Sequence, residues 1–218
     1  MKVLVIGANR GIGLELTRQV QARGDEVFAV CRRVSAELEA SGATVIDGVD
    51  VTDEEGIARL QAAAPERIDL LIHNAGVLSR QSLDNLDLEA MRRQFEVNAL
   101  APLRVTAALR DRLGRGSTIA VVSSRMGSVS DNTGGSAYGY RMSKAAANIM
   151  AVSLSRDLAD EGVAVAILHP GWVRTEMTRG TGNWNADEAA AGLLNRIAEA
   201  KAGEDPVFRH ADGTDLAW

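Results

Sequence analysis

The first strand and turn of the chain decide its fold class. Residues 3–13 read VLVIGANRGIG, a run of branched apolar residues followed at once by a turn that holds three glycines. Gly7 permits a tight turn, Gly11 lets backbone amides approach an anion, and Gly13 lets the next helix pack closely on the strand. The N-terminus of that helix adds positive potential. The stretch therefore predicts a β-strand, an anion-binding turn and a helix.

The same alternation continues along the chain. Short apolar runs predict strands at Val3–Ile6, Glu26–Val30, Thr44–Ile46, Asp69–Ile72, Thr118–Val122, Val163–Leu168 and Pro206–Phe208. Amphipathic stretches predict helices at Ile12–Arg23, Asp53–Ala63 (capped by Thr52), Leu88–Arg112, Gly139–Asp160 and Ala186–Ala200. Apolar runs without alternation are typical of strands covered on both faces. We expect a single α/β domain over residues 1–218, a Rossmann fold with a doubly wound parallel sheet of about seven strands and helices on both faces.

Composition excludes several classes of protein. The 218 residues are 46% hydrophobic and 24% charged, which is typical of a globular domain. The net charge is −5 and the arginines are scattered, so no nucleic-acid partner is expected. Apolar runs are far shorter than the about 18 residues of a membrane span, so no membrane partner is expected. His169 and His210 form no ligand set, which predicts no metal site. One cysteine, Cys31, and no signal-peptide pattern favour a cytoplasmic location.

The end of the second strand predicts which dinucleotide the glycine turn would hold. An acidic residue there would bind a ribose 2′-hydroxyl, but this sequence has Arg32 and Arg33, with Arg10 in the glycine turn. Guanidinium groups offer paired donors that suit a 2′-phosphate. We therefore predict NADP rather than NAD. Asp50, which precedes Val51, could pair with the adenine amino group or cap the next helix.

A tyrosine and a lysine stand one helical turn apart near the start of a long predicted helix. Tyr140 and Lys144 share a helix face because they are four residues apart. The chain has only two tyrosines, so this spacing is informative. A phenol is a poor acid at neutral pH, and an adjacent ammonium lowers its pKa. Tyr138 lacks such a partner, because its corresponding neighbour is Met142.

Two further polar residues are candidates for a functional role. Ser124 follows the strand Thr118–Val122, at the sheet edge where ligands bind. Its hydroxyl could bond a substrate carbonyl oxygen, or it could only stabilise a strand-end turn. Asn98 lies within an apolar stretch, and a buried amide needs partners. It could hold a water or bond only to neighbouring backbone.

Together these residues resemble the short-chain dehydrogenase/reductase family. The resemblance covers essentially the whole chain, in the family's order, through Gly7-x-x-x-Gly11-x-Gly13, Asn74-Ala75-Gly76, Asn98, Ser124, Tyr140-x-x-x-Lys144 and Pro170-Gly171. Within the family the chain is most similar to the C-factor-like and sniffer-like carbonyl reductases, through Ser123–Ser128, Asp131-Asn132 and the stretch Asp212–Trp218. The resemblance implies an NADP-dependent enzyme that reduces an aldehyde, ketone or quinone to an alcohol, or catalyses the reverse.

The resemblance also implies a role for each site residue. Tyr140 would be the general acid or base, and Lys144 would lower its pKa and hold the nicotinamide ribose. Ser124 would polarise the carbonyl, and Asn98 would anchor a water in a proton relay. The residues implied in cofactor binding are Gly7, Asn9, Arg10, Gly11, Ile12, Gly13, Arg32, Arg33, Asp50, Val51, Asn74, Ala75, Gly76, Tyr140, Lys144, Pro170, Gly171, Val173 and Thr175.

Three departures from the family pattern qualify the site. Ile6 stands where the family usually has Thr. His73 replaces an Asn and is expected to pack at a strand end. The interval from Ser124 to Tyr140 is longer than is common, which makes Ser128 the alternative catalytic serine.

The substrate side and the assembly are less specified by the sequence. Only Thr178–Trp184 lies between the Thr175 turn and the last helix, which predicts a lightly covered pocket. Its expected walls are Trp172, Trp184, Met126, Met177, Tyr138, Val77 and Leu78, which favour an apolar or aromatic carbonyl compound. A homodimer through the two long helices is expected. The alternative function is an NADP(H)-binding signalling or redox-sensing protein with little turnover.

Overall fold

The strands form one parallel sheet. A computed structural model describes residues 1–218. Its strands are β1 Lys2–Ile6, β2 Glu26–Val30, β3 Thr44–Ile46, β4 Leu70–His73, β5 Thr118–Val122, β6 Ala164–His169 and β7 Phe208–His210. They lie in the order β3-β2-β1-β4-β5-β6-β7, and every neighbouring pair is parallel. The order reverses beside β1, which opens a crevice at the carboxyl ends of β1 and β4. The predicted doubly wound α/β fold is confirmed.

Helices cover both faces of this sheet. They are α1 Gly11–Ala22, α2 Ala36–Glu39, α3 Glu54–Ala63, α4 Leu88–Phe95, α5 Ala101–Ala108, α6 Tyr138–Asp157 and α7 Ala186–Ile197. Successive residues of β1 enter different cores, since Val3 and Val5 pack with α1 and α7 whereas Leu4 and Ile6 pack with α5 and α6. Burial on both faces explains why the strands are continuously apolar. None of the helices is both long and apolar enough to span a bilayer.

The long helix predicted at Leu88–Arg112 is broken in the structure. A π-helical turn, Glu96–Leu100, separates α4 from α5, and a short 3₁₀ turn at Arg110–Arg112 follows α5. Pro102, near the start of α5, has no N–H to donate to the carbonyl of Asn98, and its ring would clash with that carbonyl. The wider π turn accommodates the proline, and Asn98 lies within it. Such turns frequently occur at functional sites.

Several element boundaries also differ from prediction. Asp53, not Thr52, caps α3, because the Asp53 carboxylate accepts the Gly56 N–H at 2.6 Å. The last strand is Phe208–His210, since Pro206 cannot donate to a ladder and the pairing with β6 begins at Phe208. The remaining helices end within three residues of their predicted bounds. The short helix α2 has too few residues for a periodic signal.

Candidate active site

The glycine turn packs closely against the loop that follows β4, and a hydrogen bond joins the two. Gly7 has a φ of +85°, and a Cβ there would lie 2.7 Å from the Ala75 backbone. A Cβ at Gly13 would lie 2.1 Å from the Gly7 carbonyl oxygen and 2.5 Å from Asn74 Nδ2. Asn74 Nδ2 donates to the Gly7 carbonyl at 2.8 Å. Both glycines are therefore required by close packing, and the turn is held to the β4 loop before any ligand binds.

The first backbone N–H groups of helix α1 have no side-chain cap. Its N-cap, Arg10, provides no side-chain hydrogen bond to the first turn, so the amides of Gly11, Ile12 and Gly13 have no side-chain cap. A helix N-terminus of this kind attracts phosphate groups. The β6 loop closes on the same turn, because a Cβ at Gly11 would lie 3.2 Å from Thr175 Cγ2. The structure thus brings the predicted cradle residues together.

Asn9 links the glycine turn to the segment after β2. Its Oδ1 accepts the Ser35 N–H at 2.7 Å, and its carbonyl accepts the Ser35 hydroxyl at 2.8 Å. That segment carries Arg32 and Arg33. Asn9 therefore holds the two arginines beside the turn through backbone and side-chain bonds.

The three predicted 2′-phosphate ligands are exposed and partly paired. Arg10 is bonded to Glu176, Arg32 lies 3.6 Å from the Asp50 carboxylate, and Arg33 forms no ion pair. Asp50 also accepts the N–H and the hydroxyl of Thr52. Burial raises the pKa of Asp50, but these hydrogen bonds and the Arg32 charge outweigh burial and lower it overall. Asp50 does not cap α3, because Asp53 occupies that place.

A serine, a tyrosine and a lysine meet at the other end of the crevice. Ser124 follows β5, while Tyr140 and Lys144 lie in the first two turns of α6. All three are buried, with exposures of 7%, 8% and 5%. Lys144 Nζ lies 5.8 Å from the centre of the Tyr140 ring and donates to the Val122 carbonyl at 2.9 Å. This arrangement places a hydroxyl, a phenol and an ammonium in one polar pocket.

The pKa values in this pocket are governed by burial. Burial raises the pKa of Tyr140, and a hydrogen bond with the Ser124 hydroxyl only partly opposes that rise. Burial also lowers the pKa of Lys144 to about 8. The predicted lowering of the Tyr140 pKa by Lys144 is therefore not found in the free protein, because loss of hydration dominates. Near pH 7 the phenol carries its proton and the lysine carries its charge.

The two candidate serines have different partners. Of the two, only the Ser124 hydroxyl acts on Tyr140, where it lowers the pKa of the phenol, and Ser124 Oγ accepts the Met126 N–H at 3.2 Å. Ser128 is buried, and its Oγ accepts the Asp131 N–H at 3.1 Å. Ser128 thus anchors the loop that lengthens the interval between Ser124 and Tyr140.

Asn98 bonds to backbone and to one neighbouring side chain. Its Oδ1 accepts the Val77 N–H at 2.8 Å, and its Nδ2 donates to the Val77 carbonyl at 2.9 Å and to Ser143 Oγ at 3.0 Å. It makes no hydrogen bond with Lys144, although both side chains lie beside Gly76. Asn98 thus bonds to the backbone of Val77 but not to backbone alone, and its role in a water relay stays a prediction.

The loop after β6 is braced from the C-terminal side. Gly171 has a φ of +90°, and a Cβ there would lie 3.1 Å from Trp184 Cδ1 and 3.2 Å from His210 Nε2. Val173 is buried and forms a bridge with Trp184. The Trp172 carbonyl accepts two N–H groups from the end of the same loop. With Trp172 itself 55% exposed, this short loop leaves the pocket open on one side.

Two further buried polar residues lie near the site: His73, which the sequence predicted to pack, and Gln94, which sequence reasoning missed. His73 is buried, its Nε2 lies 2.9 Å from Thr106 Oγ1, and burial lowers its pKa to about 3. It is therefore a neutral packing residue at the end of β4.

Sequence reasoning overlooked Gln94, which is 1% exposed and accepts the Ser79 N–H at 3.0 Å. Its position one turn before Asn98 was the available signal.

The fold and this site define the class of protein. A family profile described as short chain dehydrogenase matches residues 1–186. The chain belongs to that family, which confirms the resemblance, and it is an oxidoreductase.

Three comparisons locate the chain within the family. It is 41% identical over 223 residues, covering 99% of both chains, to the 1-hydroxy-2-glutathionyl-2-methyl-3-butene dehydrogenase of Rhodococcus sp. (strain AD45). It is 42% identical over 154 residues, covering 69% of this chain and 93% of the relative, to the C-signal of Myxococcus xanthus. The structure of the NADPH-bound carbonyl reductase from chicken fatty liver superposes with a TM-score of 0.90 at 30% identity, covering 100% of this chain and 98% of that one.

Proposed function

We propose that this oxidoreductase is NADP-dependent and reduces a carbonyl group to an alcohol, or catalyses the reverse, with Tyr140 as the general acid or base. The observation that carries the proposal is that Ser124, Tyr140 and Lys144 are buried together at the end of the crevice opposite the glycine turn. The carbonyl reductase from chicken fatty liver, whose structure holds NADPH, supports it through its close similarity of fold.

The residues present fit NADP. The space beside Gly7 and Gly13 excludes side chains, and the uncapped amides of α1 suit a diphosphate. Arg10, Arg32 and Arg33 would take the 2′-phosphate, and Arg10 and Arg32 would exchange their present carboxylate partners for this doubly charged group. Asp50 with Val51, and Asn74 to Gly76, would border the adenosine. Pro170, Gly171, Val173 and Thr175 would border the nicotinamide and the diphosphate.

The chain's own chemistry is proton transfer. When bound, NADPH supplies the hydride that reaches the substrate carbon. Ser124 Oγ donates a hydrogen bond to the substrate carbonyl oxygen, and Tyr140 Oη gives that oxygen its proton. The phenol is protonated at pH 7, as a donor must be. As the proton leaves, the Lys144 charge stabilises the phenolate across the 5.8 Å between ammonium and ring. Asn98 contributes by holding Val77 at the edge of the pocket.

The substrate class is narrowed by one relative. The Rhodococcus dehydrogenase is named for an alcohol that carries a glutathionyl group. We infer that glutathionyl alcohols, and the aldehydes formed from them, belong among the first compounds to test. The open side of the pocket near Trp172 and Met177, both exposed, would leave room for such a bulky substituent.

The alternative of a signalling or redox-sensing protein with little turnover is not favoured. The C-signal relative is a reason to consider it. A cofactor sensor, however, has no need for a buried phenol with an ammonium and a hydroxyl around it. A single domain, a homodimer and a cytoplasmic location stay predictions.

The test is oxidation of NADPH by the purified protein with aldehydes, ketones and quinones, and reduction of NADP with alcohols, including glutathionyl alcohols. The expected result is turnover with at least one class, with one alcohol formed per NADPH consumed. NADPH without substrate is the control. Tight binding of NADPH with no turnover across the whole panel would contradict the proposal and favour the signalling alternative.

A further inference from the structure

Gln94 is a buried polar residue that the mechanism above does not use. Its side chain lies in α4 and is 1% exposed. The Oε1 atom accepts the Ser79 N–H at 3.0 Å, while Nε2 has no acceptor within the chain. Burying an amide donor without a partner is unfavourable, and an apolar side chain of similar size would avoid that cost. The presence of the amide therefore points to the bond made by its oxygen.

Gln94 and Asn98 together fix the segment that follows β4. They are four residues apart, and they hold the backbone of Ser79 and Val77, which are two residues apart. Gln94 lies in the last turn of α4 and Asn98 in the π turn that follows it, so both amides project from one continuous stretch of helical backbone. The two amides thus hold the backbone of the segment at two points, Val77 and Ser79.

That segment supports the start of α6. The Gln81 carbonyl accepts the Ala137 N–H at 2.8 Å. Ser136 and Ala137 have φ values of +54° and +49°, which are unfavourable for residues with a side chain. Helix α6 begins at Tyr138 with no side-chain cap. The bond from Gln81 is therefore a main restraint on the point where α6 begins, two residues before Tyr140.

A second route joins Gln94 directly to α6. A Cβ at Gly139 would lie 2.5 Å from Gln94 Nε2 and 2.8 Å from Met91 Cγ. Glycine is an unfavourable residue within a helix. Here its missing side chain lets the first turn of α6 lie directly on the Gln94 amide.

We propose that Gln94 is a positioning residue for Tyr140. It fixes the residue 77–81 segment through Ser79, and it supports the first turn of α6 through Gly139, so that the phenol stays buried beside Ser124. This inference rests on the proposed function only for the role given to Tyr140.

The first test compares three variants by steady-state kinetics. Gln94→Met removes the amide, and Gln94→Glu keeps an oxygen that can accept the Ser79 N–H. Gln61→Met is the matched control, because Gln61 donates to the Ala108 backbone on the exposed side of α3. We expect Gln94→Met to lower kcat about 10- to 100-fold, as small misplacements do, with the KM for NADPH unchanged. Gln94→Glu should recover part of that loss. A kcat for Gln94→Met equal to that of Gln61→Met would overturn the inference.

The second test needs no turnover. The chain has only two tyrosines, so in a Tyr138→Phe background the ultraviolet absorbance of tyrosinate reports Tyr140 alone. Burial raises the pKa of Tyr140, so loosening α6 should lower it towards its ordinary value. We expect that decrease in Tyr138→Phe with Gln94→Met, and also with Gly139→Ala. An unchanged titration in both would refute the positioning role. A protein without any turnover would contradict the proposed function while this titration still decided the role of Gln94.

Discussion

The two ends of the crevice are built by opposite means. At the proposed catalytic end, Ser124, Tyr140 and Lys144 are buried, and loss of hydration shifts the pKa values of the phenol and the ammonium. At the proposed adenosine end, Arg10 and Arg32 are exposed and paired with carboxylates across the surface. Buried groups keep one geometry, whereas exposed ion pairs are weak, screened by salt and readily exchanged. Under the proposed function, packing would fix the reaction chemistry, and cofactor choice would depend on charges that change partners.

The largest expected effect comes from removing the phenol hydroxyl. Tyr140→Phe keeps the ring and its packing but leaves no proton donor at this position. We expect kcat to fall about 10³-fold, within the range for general acid catalysis, with the dissociation constant for NADPH nearly unchanged. Fluorescence titration of NADPH and turnover assays measure the two quantities. Tyr138→Phe removes the other phenol hydroxyl of the chain and, as the comparison, should lower kcat far less. Comparable activity in Tyr140→Phe and Tyr138→Phe would show that the buried end is not the catalytic one.

A smaller effect should distinguish the two serines. Ser124→Ala removes a hydroxyl beside Tyr140, and we expect kcat to fall about 10²-fold, as for loss of one donor to a developing oxyanion. Ser128→Ala removes the bond to the Asp131 N–H, which should reduce the free energy of unfolding by about 1 kcal/mol and leave kcat within a few-fold. Turnover assays and urea unfolding of both variants measure this contrast. The reverse pattern would assign catalysis to Ser128.

The sequence predicted the parts of the site that depend on local spacing. The glycine turn and the Tyr140–Lys144 pair were readable because strand, turn and helix geometry convert spacing into position. The break in the long helix was not, although Pro102 was its visible cause, since a proline near the middle of a periodic stretch does not say which kind of turn will accommodate it. The directions of the pKa shifts were also not readable. They depend on how completely β5 and α6 exclude water from Tyr140 and Lys144, which is a property of the folded chain.

Removing one arginine of the glycine-turn end should have a smaller effect. It should weaken the preference for NADPH over NADH, and that preference should also depend on salt. In Arg32→Ala, and in Arg33→Ala, we expect the affinity for NADPH to fall about tenfold, as for one solvent-exposed charged contact, with the affinity for NADH nearly unchanged. Titrations at low and high salt should show the wild-type preference for NADPH shrinking as salt rises. Arg110→Ala is a control with the same loss of charge, because Arg110 pairs with Glu161 near the amino end of β6. Equal losses for NADH and NADPH would remove the 2′-phosphate role from these arginines.

The smallest expected effect is a dependence of activity and stability on pH, which tests the burial of Lys144. The pKa of Lys144 is lowered from 10.5 to about 8 in the folded protein. Its charge is therefore lost as pH rises through about 8, and kcat/KM, which reports the free enzyme, should fall to about half there and continue downwards. The free energy of unfolding, in contrast, should increase with pH over the same range. Between about pH 8 and 10 the unfolded chain holds a proton on Lys144 that the folded chain does not, so the free energy of unfolding gains a rising contribution. Lys144→Met should lack both trends. Subtracting its unfolding free energy from that of the wild type at each pH removes the contribution of the other titrating groups. If the difference in unfolding free energy between the two proteins were constant over this range, Lys144 would keep an ordinary pKa. The buried end of the crevice would then be as hydrated as the exposed one.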